Sequence, residues 1–329
     1  MTEQLQQKTA LFIENIQKMK ESFKWDSSLL HQLVAFIYAE KDKEVDSVEI
    51  KHAKDIIKSN TGLFSMFKDS TFLAIAGMIA MDDTPEEYFK NTMNVYNRMK
   101  KAGFSGSNYL AISSLIIAKK ASEFNYDNVI ENTKNYYDRM KKEHRILTSY
   151  DDYCFATMLG ISELGIDSAI REMEECYRNL KGHFFSSNSV QSLSHVLAFG
   201  EETAAIKCER VLKIAEMLKT KKCKLGYDGE LTALGILALI TDDIEKITDE
   251  IAKVSDYLHD KKVFGSFFES STGRNRYAAA LVSSTYVQNL KEDILSVTLQ
   301  NSLTNILIAQ ETAVIVAITA STAATSASN

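Results

Sequence analysis

Two kinds of apolar pattern alternate along this chain. One is nearly continuous: Thr71–Met81 (TFLAIAGMIAM), Tyr109–Ala118 (YLAISSLIIA), Tyr153–Ile161 (YCFATMLGI), Leu193–Gly200 (LSHVLAFG) and Leu231–Ile240 (LTALGILALI) are apolar or small almost all round. A helix of that kind must be enclosed by neighbours, so these stretches predict inner helices. The other pattern is a single stripe at helical spacing, marked by Phe89, Met93, Tyr96 and Lys100 in one segment and by Ile170, Met173, Tyr177 and Leu180 in another. One apolar face predicts an outer helix.

The striped segments repeat. Met93–Phe104 (MNVYNRMKKAGF) returns as Lys134–Ile146 (KNYYDRMKKEHRI) and as Glu174–Phe184 (EECYRNLKGHF), with Tyr96, Tyr137 and Tyr177 spaced 41 and 40 residues apart. Weaker copies start at Ala215 (AEMLKTKKCKLG) and Ser255 (SDYLHDKKVFG), again 40 apart. Five copies at a near-constant period predict a tandem array of helical hairpins. Ahead of the array, Phe12, Ile16, Met19 and Phe23 form a stripe, and Leu29–Ala39 and Val48–Lys58 predict two more helices. Thr84, Pro85 and Glu87 read as an N-cap, a first-turn proline and a capping-box acid, and Asp242 and Asp243 as the start of the fifth outer helix. Gly265–Gly273 breaks the pattern, and Arg274–Tyr286 begins a sixth inner helix.

The expected fold is all-α, with about seven helix pairs in an open α-α superhelix or a closed α/α toroid. Its parts are a helical cap over 1–68, five repeats of about 40 residues over 69–265, and a closing section over 266–329 with an apolar C-terminal helix and frayed tail. All belong to one continuous domain. Composition agrees, because 13 Gly and a single Pro in 329 residues cannot punctuate a sandwich, barrel or propeller.

A net charge of -6 argues against a generic nucleic-acid binder. Met1–Lys24 lacks the apolar core of a secretory signal, and Cys154, Cys176, Cys208 and Cys223 show no CxxC spacing, which points to a cytoplasmic protein with reduced thiols. Ile306–Ala320 is apolar but interrupted by Gln310 and Glu311, too short to span a bilayer. It reads as a buried closing helix, with peripheral membrane association as an alternative.

Candidate chemistry lies first in a basic rim. The outer segments end in Arg98, Lys100 and Lys101; Arg139, Lys141 and Lys142; Arg178 and Lys181; Lys219, Lys221 and Lys222; and Lys261 and Lys262. Stacked hairpins would align these along one edge, with Asp82, Asp83, Glu86, Glu201, Glu202, Asp242 and Asp243 along the other. The helix dipole favours the same placement without any ligand. A second candidate is the segment with Ser270, Ser271, Thr272, Arg274, Asn275 and Arg276, where hydroxyls and arginines at a helix start suit a phosphate or carboxylate. Cys223, between Lys222 and Lys224, is a candidate reactive thiol. The six histidines show no HExxH and no ligand spacing, so neither a metal nor a cofactor is expected, and His195 reads as a core residue. Asp151 and Asp152 could serve an enzyme of the α/α-toroid type as acid and base, yet an adjacent pair at a helix start reads as a cap.

The reading that follows is a non-catalytic binding or interaction scaffold, partnered by a protein or a small anionic ligand. The YNRMKK and YDRMKK strings at Tyr96 and Tyr137, YLAISSLIIAKK from Tyr109, SYDDYCFATMLG from Ser149 and SVQSLSHVLAFG from Ser189 resemble the bacterial family named domain of unknown function 4003. The resemblance spans nearly the whole chain. It implies a bacterial, Gram-positive, cytoplasmic protein and carries over no active-site residue.

Overall fold

The computed structural model describes residues 1–162, 164–225, 230–262, 264, 271–289 and 305–306. Over these residues the fold is all-α, with fourteen α-helices and no strand. In chain order they are α1 (Glu3–Ser22), α2 (Ser28–Glu40), α3 (Ser47–Asn60), α4 (Phe72–Ala80), α5 (Pro85–Lys101), α6 (Asn108–Lys120), α7 (Tyr126–Glu143), α8 (Tyr153–Ile161), α9 (Ile166–Leu180), α10 (Ser187–Leu197), α11 (Ala204–Thr220), α12 (Leu231–Ile240), α13 (Ile244–Asp260) and α14 (Ser271–Asn289). The even-numbered helices carry the apolar stretches and are buried almost throughout; α3 to α13 of the odd set bury one stripe. None of the described helices is long and apolar enough to cross a membrane. The predicted break at 265–270 and the C-terminal stretch beyond Ile306 lie outside the described residues.

The chain divides into two compact units. In the unit built on Glu14–Glu163, α3 packs on α4, α5 on α6 and α7 on α8; α2, α4, α6 and α8 supply the inner contacts, and α3, α5 and α7 run side by side. Its core gathers Leu33, Ile37, Ile75, Phe89, Ile112 and Leu115. In the unit built on Met1–Ile13 and Leu164–Leu307, α9 packs on α10, α11 on α12 and α13 on α14. There Phe12 reaches Tyr277, with ring centroids 5.2 Å apart.

Helix ends follow local chemistry. Ser27, Asp46, Ser107, Ser186 and Asp243 cap α2, α3, α6, α10 and α13 by accepting backbone N–H bonds. Pro85 stands at the first position of α5, as expected, but the capping box does not form. Thr84 turns both its N–H and its hydroxyl to Asp82 Oδ1, at 3.0 and 3.2 Å, and makes no side-chain bond to the helix. At the other end, α5, α11 and α13 share a helical cap residue, whereas α9 ends in a turn with Lys181 at ψ 125° and the His183 N–H on Leu180 O at 3.1 Å. Gly103, Gly182, Lys222 and Lys262, each two residues past its helix, take a left-handed φ of 94°, 94°, 61° and 53°. The next N–H then bonds back into the last turn, Phe104 to Met99 O at 3.1 Å and Cys223 to Leu218 O at 2.8 Å.

Candidate functional site

In the unit built on Glu14–Glu163, the buried stripe decides which cations reach solvent. Met99 and Met140 face inward, which turns Lys100 and Lys101 at the end of α5, and Lys141 and Lys142 at the end of α7, outward. Lys141 lies 5.4 Å over the Tyr137 ring. The connections that follow are knit together. Phe104 meets Tyr153 edge-on at 5.0 Å and Tyr137 at 6.1 Å, and the Ser105 N–H donates to the Tyr153 hydroxyl at 3.1 Å. One pair earlier, Phe67 packs on Tyr96 at 5.1 Å, and Asn108 Nδ2 donates to Asp69 and Ser70 at 3.2 and 3.1 Å. Tyr96 and Tyr137 thus each receive a phenylalanine from the connection that follows the preceding outer helix. Their role is packing.

The outer helices are staggered rather than level, which corrects part of the rim expectation. The start of α7 lies beside the last turns of α5, so Arg98 pairs with Asp127 at 3.0 Å and Glu123 at 3.8 Å and is withdrawn from the cationic edge. Farther from that edge, Lys119 is held by Asp82 at 2.5 Å.

In the other unit, Lys221 pairs with Asp249 and is half-buried, whereas Lys222 is exposed. A cleft of about 540 Å³ opens there between His183, Phe185, Leu212, Lys219 and Lys224. The anion-loop expectation changes. Ser271 and Thr272 already belong to the first turn of α14. Arg274 is engaged by Ser255 Oγ at 3.0 Å and His259 Nδ1 at 3.1 Å, and Ser255 in turn donates to Asn275 at 2.7 Å. Arg276 is 4% exposed and stands 5.8 Å over the Tyr277 ring, so it faces the interior instead of an incoming anion.

Cys223 is buried, against the expectation of a reactive thiolate. It follows the left-handed residue of α11, the position that Phe104 fills after α5, and that position folds back on the helix. Burial pushes its thiol up, outweighing the Ser255 hydrogen bond and the charge of Arg274. Cys154 is driven to about 12 by burial. Asp152 accepts the Ser149 N–H at 2.9 Å in a capping box, and burial, reinforced by Asp151, raises its carboxyl well above the usual range. His195 is buried. Among the described residues no group of His, Cys, Asp and Glu is placed to hold a metal ion.

Two features escaped the sequence reading. Trp25, Leu63 and Phe64 stand in solvent on the connections after α1 and α3, which no periodicity signals. Lys207 is wholly buried, and here a signal existed: Ala204, Lys207, Cys208 and Val211 share one stripe of α11.

The model of the family described as Protein of unknown function (DUF4003) matches residues 15–313. The chain belongs to this family. It is also similar to Uncharacterized protein YeaA of Bacillus subtilis (strain 168), at 26% identity over 331 residues covering 98% of each chain. No solved structure matches it.

Proposed function

We propose that this DUF4003 member is a non-catalytic binding scaffold of tandem helical hairpins, working in a bacterial cytoplasm, whose contact surface is the cationic edge at the ends of its outer helices. One observation carries the reading: Lys100, Lys101 and Lys142 are exposed on adjacent helix ends with no carboxylate partner among the described residues, while Arg98 and Lys119 are neutralised. The helix dipole accounts for a cation in a last turn. It does not account for two consecutive lysines on each of two neighbouring helices, whose mutual repulsion an acidic protein or a small anionic ligand would relieve. Lys222 is likewise exposed at the end of α11 in the other unit, where Lys219 is paired with Glu216 at 3.3 Å. Four buried free thiols support a reducing compartment, and the likeness to YeaA of Bacillus subtilis supports a bacterial source.

The test is retention of the full chain on a phosphate-bearing matrix at neutral pH. Wild type is expected to bind despite its net charge of -6 and to elute with moderate salt. The variant Lys100→Glu, Lys101→Glu, Lys141→Glu, Lys142→Glu is expected to flow through with an unchanged helical spectrum. Equal retention of the two proteins would remove this edge as the contact surface.

A further inference from the structure

The connections after α1 and α3 carry exposed apolar side chains beside lysines; Phe124, Ile146 and Phe185 are also exposed elsewhere. Trp25 is 101% exposed, Leu63 81% and Phe64 91%, although each is a residue that folding ordinarily hides. Trp25 lines a shallow concavity of about 400 Å³ with Phe23, Lys24, Lys51, Lys54 and Lys58, and Leu63 and Phe64 follow shortly after Lys58. Lys51 and Lys54 stand over the Phe23 ring at 5.8 and 5.6 Å, which holds their ammonium groups at this end of the helix. Asp26 lies 3.6 Å from Lys54 and Asp55 3.2 Å from Lys58. Lys24 and Lys51 have no carboxylate partner among the described residues, and Glu21 is the further acid nearby in the chain.

We infer that this corner of the unit built on Glu14–Glu163 docks on an anionic lipid surface, with Trp25, Leu63 and Phe64 entering the interface and Lys24, Lys51 and Lys58 facing the headgroups. The inference goes beyond the reading of the cationic edge and uses none of its lysines. Tryptophan and phenylalanine beside lysines is the composition that seats a protein at a bilayer interface, where rings settle at headgroup depth and ammonium groups meet anionic lipids. The apolar tips protrude from two connections, Trp25 from one and the consecutive Leu63 and Phe64 from the other. A fluid bilayer accepts separate insertions, whereas a protein partner would need a preformed socket for each. A phosphate-bearing ligand stacked on Trp25 would use the ring and the lysines but leave Leu63 and Phe64 without a role.

Trp25 is the chain's single tryptophan and therefore reports its own insertion. The full chain is mixed with vesicles of phosphatidylcholine and phosphatidylglycerol in equal parts, and with vesicles of phosphatidylcholine alone. Expected with the mixed vesicles are co-sedimentation, a blue shift of the Trp25 emission and its quenching by bromine on the acyl chains. The phosphatidylcholine vesicles are expected to bind at least about tenfold more weakly. Leu63→Ser with Phe64→Ser is expected to weaken partition by about tenfold or more while leaving retention on the phosphate matrix intact. Both positions are exposed, so the fold survives the change. Vesicle binding indifferent to that pair of substitutions overturns the inference. So does matrix retention without vesicle binding, which leaves the scaffold reading standing and directs it to an acidic protein or free phosphate. Loss of both kinds of binding in the wild type overturns both readings.

Discussion

The ammonium of Lys207 lies 2.7 Å from Glu172 Oε1 with none of its side chain in solvent. It also donates to Leu197 O and Gly200 O at 2.8 Å each, so one cation ties α11 to α9 and to the end of α10. Lys207→Met keeps the aliphatic stem and removes the charge, taking the cation from Glu172 and a donor from Gly200 O, while Leu197 O keeps the Gly200 N–H at 3.2 Å. The expected cost is about 2–4 kcal/mol, against about 1–2 kcal/mol for Glu172→Gln, whose partner keeps both carbonyls. Urea unfolding of the two variants checks the order; a neutral Lys207→Met would deny the tie any structural role.

At Gly160, in α8, an added Cβ would stand 2.6 Å from Thr133 Oγ1 and 2.7 Å from Thr133 N, so α7 and α8 approach through this glycine. Gly160→Ala is expected to destabilise by about 1–3 kcal/mol. Gly273, in the first turn of α14, has nothing within 4 Å of such a Cβ, and Gly273→Ala is expected to gain about 0.5–1 kcal/mol. Opposite signs in thermal unfolding are the diagnostic result.

Lys262 holds a left-handed φ of 53° where Gly103 and Gly182 serve elsewhere. Lys262→Gly should relieve more strain than it adds unfolded-state freedom, raising stability by about 0.5–1 kcal/mol, and Gly103→Ala should lower it by about 1 kcal/mol. A loss from Lys262→Gly would mean that the lysine side chain contributes more than its backbone costs.

Asp152 sets a pH dependence. Burial, with Asp151 adding to it, places its folded pKa above the unfolded one, so the folded chain binds this proton more tightly. The stability it contributes is complete below the ordinary carboxylate range and is lost as pH rises through the folded pKa. Asp152→Asn keeps an oxygen for the Ser149 N–H and removes the buried charge. The variant is expected to melt higher than wild type at neutral pH, with the gap closing as pH falls toward about 4. A constant gap would contradict the assignment.

Much of the fold could be read from the chain because burial imposes a period. The stretches at Tyr153–Ile161 and Leu231–Ile240 coincide with α8 and α12, apolar on every side and therefore unambiguous. Leu193–Gly200 misplaced α10, which starts at Ser187, because Ser186 caps a first turn whose polar Ser187 and Asn188 look like loop. The site was less legible. Lys100 and Lys141 could be placed on helix ends from the sequence, but the stagger that gives Arg98 to Asp127 depends on how neighbouring helices lean. Neither that lean nor the fold-back that buries Cys223 is written in a local pattern.

Amide hydrogen exchange of the full chain, with and without inorganic polyphosphate, tests the cationic edge most directly. Protection is expected at the ends of α5 and α7 and in the connections after them, and is expected to vanish when Lys100, Lys101, Lys141 and Lys142 are changed to Glu. Protection confined to other helices, or an identical footprint in the charge-reversed variant, would contradict it.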